Sequence, residues 1–161
     1  MSFYYGNVPY FKVRVCDDND NYVAGLNVKI TVNGKSYYVS SDKDGWVSFK
    51  INLNSGKYTI FCEYKGFKVS NKITVKPTLI TKNKKYKKAK VFKYTAKLLN
   101  KNGKVLKSKK ITFKIKGKTY KAKTNKKGIA TIKIKNLKVG SYKIVANYGK
   151  QKSTSKIIIK K

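Results

Sequence analysis

Histidine is absent from the 161 residues, which removes the commonest general base and the commonest metal ligand together. Arginine occurs once, at Arg14, so planar bidentate recognition of phosphate or carboxylate has a single candidate. Acidic residues number six, and none lies beyond Glu63. There are two cysteines, Cys16 and Cys62, and two prolines, Pro9 and Pro77. No apolar run approaches the roughly 18 residues that a membrane-spanning helix needs. The first residues, Met1-Ser2-Phe3-Tyr4-Tyr5-Gly6, lack the charged start and long apolar middle of a signal peptide, which predicts either a cytosolic chain or an internal piece of a longer one. Without histidine, neither thiol has the usual partner that would make it a nucleophile. The expectation is a protein without catalysis and without a cofactor.

What is present is apolar residue in ordinary amount and lysine in excess. Forty per cent of the chain is hydrophobic, enough for a packed core. Forty Lys+Arg against six Asp+Glu give a net charge of +34.

The chain is one unit written twice. A shift of 83 residues sets Asn33-Gly34-Lys35-Ser36-Tyr37 on Lys116-Gly117-Lys118-Thr119-Tyr120, and Asp42-Lys43-Asp44-Gly45 on Asn125-Lys126-Lys127-Gly128. One further residue of shift sets Leu53-Asn54-Ser55-Gly56-Lys57-Tyr58 on Leu137-Lys138-Val139-Gly140-Ser141-Tyr142. The boundary falls at Lys76-Pro77, giving repeats over 1–76 and 77–161; proline donates nothing to a sheet ladder and suits a linker.

Within each repeat, apolar residues alternate with polar ones. Tyr94, Ala96 and Leu98, then Ile111, Phe113 and Ile115, then Ala130, Ile132 and Ile134, each form one face of a period-two run. The first repeat does the same with Val28, Ile30 and Val32 and with Tyr58, Ile60, Cys62 and Tyr64. This is the pattern of half-buried antiparallel strands. Turn signals such as Asn33-Gly34 and Asn102-Gly103 separate the runs. The reading is all-β: two tandem antiparallel β-sandwiches of about seven strands each. The Leu-x-x-Gly-x-Tyr strings at Tyr58 and Tyr142 predict tyrosine corners, whose hydroxyls tie back to nearby backbone.

The strings Asn100-Lys101-Asn102-Gly103-Lys104-Val105-Leu106, Thr124-Asn125-Lys126-Lys127-Gly128-Ile129-Ala130 and Leu137-Lys138-Val139-Gly140-Ser141-Tyr142 resemble the bacterial and archaeal Ig-like repeats of surface adhesins, and most of all the lysine- and asparagine-rich repeats of methanogen adhesin-like proteins. The resemblance implies an extracellular, cell-surface or cell-wall location and a rod of stacked sandwiches. It also implies a leading strand in each repeat. The second has one at Thr78-Leu79-Ile80; the first has no counterpart ahead of Ser2, which suggests a monomeric piece of a longer protein.

The repeats differ in charge. Residues 1–76 hold eleven Lys+Arg and six acids, a net +5; residues 77–161 hold 29 lysines and no acid, a net +29. Solubility needs a net charge of only about 2–8 in a small domain, and excess charge destabilises the fold by self-repulsion. The surplus points to an anionic partner. The candidate surface is Lys97, Lys114, Lys116, Lys121, Lys123, Lys133, Lys135 and Lys143, all read as outward strand positions, and the expected partner is an anionic cell-wall or host glycan polymer. Nucleic acid is the alternative. Lysine alone gives salt-sensitive, sequence-blind affinity for it, and neither a groove-sized helix nor exposed stacking aromatics are visible in the basic repeat. A passive spacer is the third reading.

Smaller features carry weaker expectations. Asp17-Asp18-Asn19-Asp20-Asn21 matches a cadherin calcium string, with Asp17, Asp18 and Asp20 as ligands and Asp42 and Asp44 as a second group; its counterpart, Asn100-Lys101-Asn102-Gly103-Lys104, reads as a plain turn. Cys16 and Cys62 fall on strands that an Ig-like sandwich can bridge, but Cys16 follows inward Val15 and points outward by parity, so two free thiols stand beside the disulfide as an expectation. Trp46, at outward parity, is read as a loop cover or as a ligand or interface aromatic. Phe3, Tyr4, Tyr5 and Tyr10 are read as an interface cluster.

Overall fold

A computed structural model describes residues 1–161, which fall into two compact units, unit 1 over Met1–Lys76 and unit 2 over Pro77–Lys161. Both are all-β, and no helix is long and apolar enough to cross a membrane.

Unit 1 contains β1 (Ser2–Tyr4), β2 (Tyr10–Arg14), β3 (Asn27–Val32), β4 (Lys35–Ser40), β5 (Trp46–Lys50), β6 (Gly56–Tyr64) and β7 (Phe67–Lys76). Its larger sheet runs β1-β7-β6-β3-β4 and its smaller one pairs β2 with β5. Unit 2 contains β8 (Leu79–Ile80), β9 (Lys84–Lys87), β10 (Val91–Leu98), β11 (Lys110–Ile115), β12 (Lys118–Lys123), β13 (Ile129–Lys135), β14 (Gly140–Tyr148) and β15 (Gln151–Lys160). Its sheets run β12-β11-β14-β15-β9 and β13-β10-β8. The two units thus share a plan of seven strands, and unit 2 adds β8.

The period-two runs place the core where the alternation puts it. Ile30, Ile60, Val47 and Ile73 close the interior of unit 1; Phe92, Tyr94, Phe113, Ile132 and Ile144 close that of unit 2. Tyr94 and Phe113 meet edge to face, with ring centroids 6.2 Å apart. One departure from the expected antiparallel sandwich is common to both units. β1 pairs with β7, and β9 with β15, in parallel.

Turn chemistry fixes the register. Asn33 and Gly34, and likewise Lys116 and Gly117, have positive φ at both positions, the two-residue turn whose twist suits a hairpin. Gly45 and Gly128 are obligatory for another reason. A Cβ at Gly45 would lie 2.5 Å from the Val15 carbonyl oxygen, and one at Gly128 would lie 2.8 Å from that of Leu98, both with φ above +70°. Each glycine lets its loop lie against the equivalent strand of the smaller sheet.

Two expectations are corrected. Lys116 is not a strand residue; it occupies the β11–β12 turn at φ 47°. The aromatic cluster near the start of the chain is not one surface. Phe3 is buried and Tyr5 packs against the same core, because β1 forms the edge of the larger sheet, while Tyr10 is exposed.

Candidate polyanion-binding surface

All eight lysines singled out from the sequence are exposed. Lys97 lies on β10, and Lys133 and Lys135 on β13, on the outer face of the smaller sheet of unit 2. Lys114 (β11), Lys121 and Lys123 (β12) and Lys143 (β14) lie on the outer face of the larger sheet, and Lys116 sits at its hairpin turn, 5.4 Å from the centroid of the Tyr142 ring. Alternation does this directly. Inward Ile, Phe and Ala on these strands leave their neighbours facing outward, and most of those neighbours are lysine, threonine and asparagine, with Val91, Ile129 and Val145 the apolar exceptions.

Pairing across the strands then places lysines opposite one another. Lys110 faces Lys123, Lys143 faces Lys156, Lys93 faces Lys133, and Lys87 faces Lys160 on the parallel edge. Like charges directly opposite destabilise a sheet. Between them run mixed rows such as Lys121–Thr112–Asn147–Lys152. Strands lie about 4.8 Å apart, and residues two apart on a strand lie about 6.7 Å apart. Those spacings fall below the screening length of about 8 Å at physiological salt, so neighbouring charges act on a contacting anion together.

Nothing inside unit 2 neutralises this charge. The three side-chain ion pairs are Lys29–Glu63 at 3.2 Å, Lys68–Glu63 at 3.1 Å and Lys65–Asp18, all in unit 1. There the Lys68 and Lys29 ammoniums, hydrogen-bonded to the Glu63 carboxylate, hold its carboxyl below the usual range.

The Asp17–Asn21 string serves as a turn. Asp17 Oδ1 accepts the backbone N–H groups of Asn19 and Asn21, each at 2.9 Å. The bond from Asn21 is the main cause of a lowered Asp17 pKa. Asp18 pairs with Lys65, and Asp20 adopts a positive φ. No three acidic or thiol side chains come together as a metal-binding group. Asp42 repeats the turn, accepting from Asp44 and Trp46, and in unit 2 Asn100 and Asn125 do so with a neutral side chain.

Trp46 opens β5 opposite Arg14 and is 40% exposed. The Arg14 guanidinium carbon lies 3.5 Å from the centroid of the Tyr22 ring and 5.5 Å from that of Trp46, and its Nε donates to the Asp44 carbonyl. The one arginine therefore stacks among aromatics within its own unit, a use that lysine serves less well. Both tyrosine corners form: Tyr58 donates to the Asn54 carbonyl at 3.0 Å and Tyr142 to that of Lys138 at 2.9 Å. Cys16 is half-buried and Cys62 buried, both as free thiols, and burial pushes the Cys62 pKa up.

Sequence reasoning placed the exposed lysines but missed a cleft of about 530 Å³ in unit 1, lined by residues that include both cysteines, Asp17, Asp18, Asp20, Phe67 and Val69. The signal in the sequence was Phe67 and Val69 standing where the second repeat has Gln151 and Ser153.

No family model matches the chain. No curated protein matches it. Among solved structures it is similar to the I9–I11 tandem of titin at 17% identity, with a TM-score of 0.38 over 99% of this chain and 62% of that one. Invasin, described as a bacterial integrin-binding protein, is 14% identical with a TM-score of 0.44, covering 96% of this chain and 36% of invasin. The D0–D1 domain of intimin is 14% identical with a TM-score of 0.44, over 99% and 94%. The chain thus spans less than two thirds of the titin tandem and little more than a third of invasin.

Proposed function

We propose that the chain is a non-enzymatic, adhesin-like module of the cell surface, akin to the methanogen repeats, in which unit 2 holds an anionic cell-wall or host glycan polymer. The carrying observation is a sandwich with 29 lysines, no acidic side chain and no internal ion pair, whose lysines face one another across four strand pairings. A polyanion laid on either sheet relieves that repulsion as it binds. One exposed ion pair contributes only about 0–1 kcal/mol. Ten such contacts at about 0.5 kcal/mol give about 5 kcal/mol, a dissociation constant of about 0.2 mM. Retention therefore depends on many contacts at once.

The test is retention of the full chain on isolated anionic wall polymer, a heparin-like glycan and duplex DNA across a salt series. The proposal expects wall polymer or glycan to outlast DNA and to release the protein only toward molar salt. Selective retention on DNA at physiological salt would turn the reading to nucleic acid. Equal loss of all three by about 150 mM, where screening reaches about 8 Å, would leave a spacer.

A further inference from the structure

The two units agree strand for strand except at β8. In unit 2, β8 pairs antiparallel with β10, Leu79 opposite Leu98 and Ile80 opposite Lys97. Leu79 is buried, and Leu98 and Ala96 beneath it are 0% and 1% exposed. Hydrogen bonds hold the strand in place. The Leu99 N–H donates to the Thr78 carbonyl at 2.8 Å, the Leu79 N–H donates to Gln151 Oε1 at 3.1 Å, and the Thr81 hydroxyl meets those of Ser153 and Ser155.

In unit 1 the equivalent of β10 is β2, which pairs with β5 alone, so its other edge is open. The equivalents of Ala96 and Leu98, Val13 and Val15, are only half-buried, and both line the cleft. Across the cleft, Gln151 and Ser153 are replaced by Phe67, 80% exposed, and Val69, 56% exposed. Residues that bind β8 through hydrogen bonds in unit 2 are thus apolar and uncovered in unit 1. Three of the chain's six acidic residues, Asp17, Asp18 and Asp20, line the same cleft.

From this we infer that the cleft of unit 1 is a slot for an added β-strand of the β8 kind, donated by another repeat unit: an extended segment with two adjacent apolar residues and basic flanks. It runs antiparallel to β2 with its leading apolar side chain opposite Val15. Main-chain hydrogen bonds along the open edge supply the pairing, and burial of Val13, Val15, Phe67 and Val69 supplies the preference for apolar residues at its centre. The carboxylates favour lysine at its ends. Residues Lys76–Lys85 of this chain exemplify such a segment, with Leu79 and Ile80 between Lys76 and Lys82.

The experiment uses the full chain and a synthetic peptide with the sequence of residues 76–85, and reads the rate at which a thiol reagent labels Cys16, which lines the cleft. A second arm repeats the sequence of residues 76–83 ahead of Met1. Saturating peptide, or the fused segment, is expected to slow labelling at least ten-fold. The Leu79→Lys change in the peptide or in the fused copy, or Val69→Lys in the chain, is expected to abolish the effect. Slowing in either arm that is lost with those changes supports the slot. An unchanged rate in both arms overturns it, and so does equal slowing by the Leu79→Lys peptide, which would show mere attraction of cations to the carboxylates.

Discussion

Replacing one lysine of each facing pair in unit 2 by glutamate, as Lys87→Glu, Lys93→Glu, Lys123→Glu and Lys156→Glu, converts four repulsions into attractions. All eight side chains of these pairs are exposed. Two ammonium groups about 6 Å apart in water repel by about 0.7 kcal/mol, so reversing one partner changes the pair by about 1.4 kcal/mol before screening. With a screening length of about 8 Å, roughly half survives, about 0.7 kcal/mol per pair, within the range of measured cross-strand pairs. Four pairs give about 2–3 kcal/mol. At about 4–8 °C per kcal/mol for a unit this size, the melting temperature of unit 2 rises by about 10–20 °C. At 1 M salt, where screening acts over about 3 Å, the gain falls to a few degrees. Scanning calorimetry of the full chain checks this, with Trp46 fluorescence marking the unit 1 transition, since the single tryptophan lies there. A gain that is absent at low salt, or as large in 1 M salt, would refute the claim that unpaired lysines strain this sandwich.

Three further outcomes follow from single contacts. Tyr58→Phe and Tyr142→Phe each remove one hydroxyl-to-carbonyl bond and should lower the stability of their own unit by about 1 kcal/mol, read as separate shifts of the two thermal transitions. Acid should act on unit 1 alone. The lowered Asp17 and Glu63 carboxyls contribute stability that is complete above the ordinary carboxylate range and is lost as pH falls through their depressed values, whereas unit 2 has no acidic side chain to protonate; calorimetry from pH 7 to pH 2 should therefore move one transition and leave the other nearly still. Asn100→Asp with Asn125→Asp keeps both turn acceptors and adds two negative charges, so stability should rise at low salt, by up to about 0.5 kcal/mol, while the salt concentration that releases the chain from wall polymer should fall.

How much was legible depended on how much each strand buries. β3, β6, β11, β13 and β14 alternate over a buried core, and their inward residues read directly from the period of two. β4 and β12 mostly face water, with patterns such as Lys35-Ser36-Tyr37-Tyr38-Val39-Ser40, so their own sequences show little alternation. The parallel edge strands β1 and β9 were illegible for a similar reason; β9 offers the core only Tyr86 among three lysines. Parity misplaced Lys116 because it extended a strand through a turn, although the aligned Asn33-Gly34 already showed the hairpin. The tyrosine corners and the glycine turns were legible because each needs a particular side chain, or none, at a fixed offset. The cleft of unit 1 was not, because a missing strand leaves no residues to read. Its mark is the exchange of Gln151 and Ser153 for Phe67 and Val69, which gains meaning only once β8 is seen lying on the former pair.

The loops built on Asp17, Asp42, Asn100 and Asn125 bear on whether the lysine coat is incidental. All four use one side-chain oxygen to accept two backbone N–H groups, so aspartate and asparagine serve the turn alike. Unit 1 has the acid at both of its positions, and unit 2 has the amide at both. Packing cannot explain that choice, since the geometry repeats to within 0.2 Å across the four loops. Self-repulsion argues against it, because an aspartate in each loop would offset part of the +29 charge. A surface that forgoes carboxylates where they fit the backbone and would relieve strain keeps its positive potential at a cost in stability. The polyanion binding proposed above would give that cost a return, since each anionic group contributed would take the place of an acid the sandwich lacks.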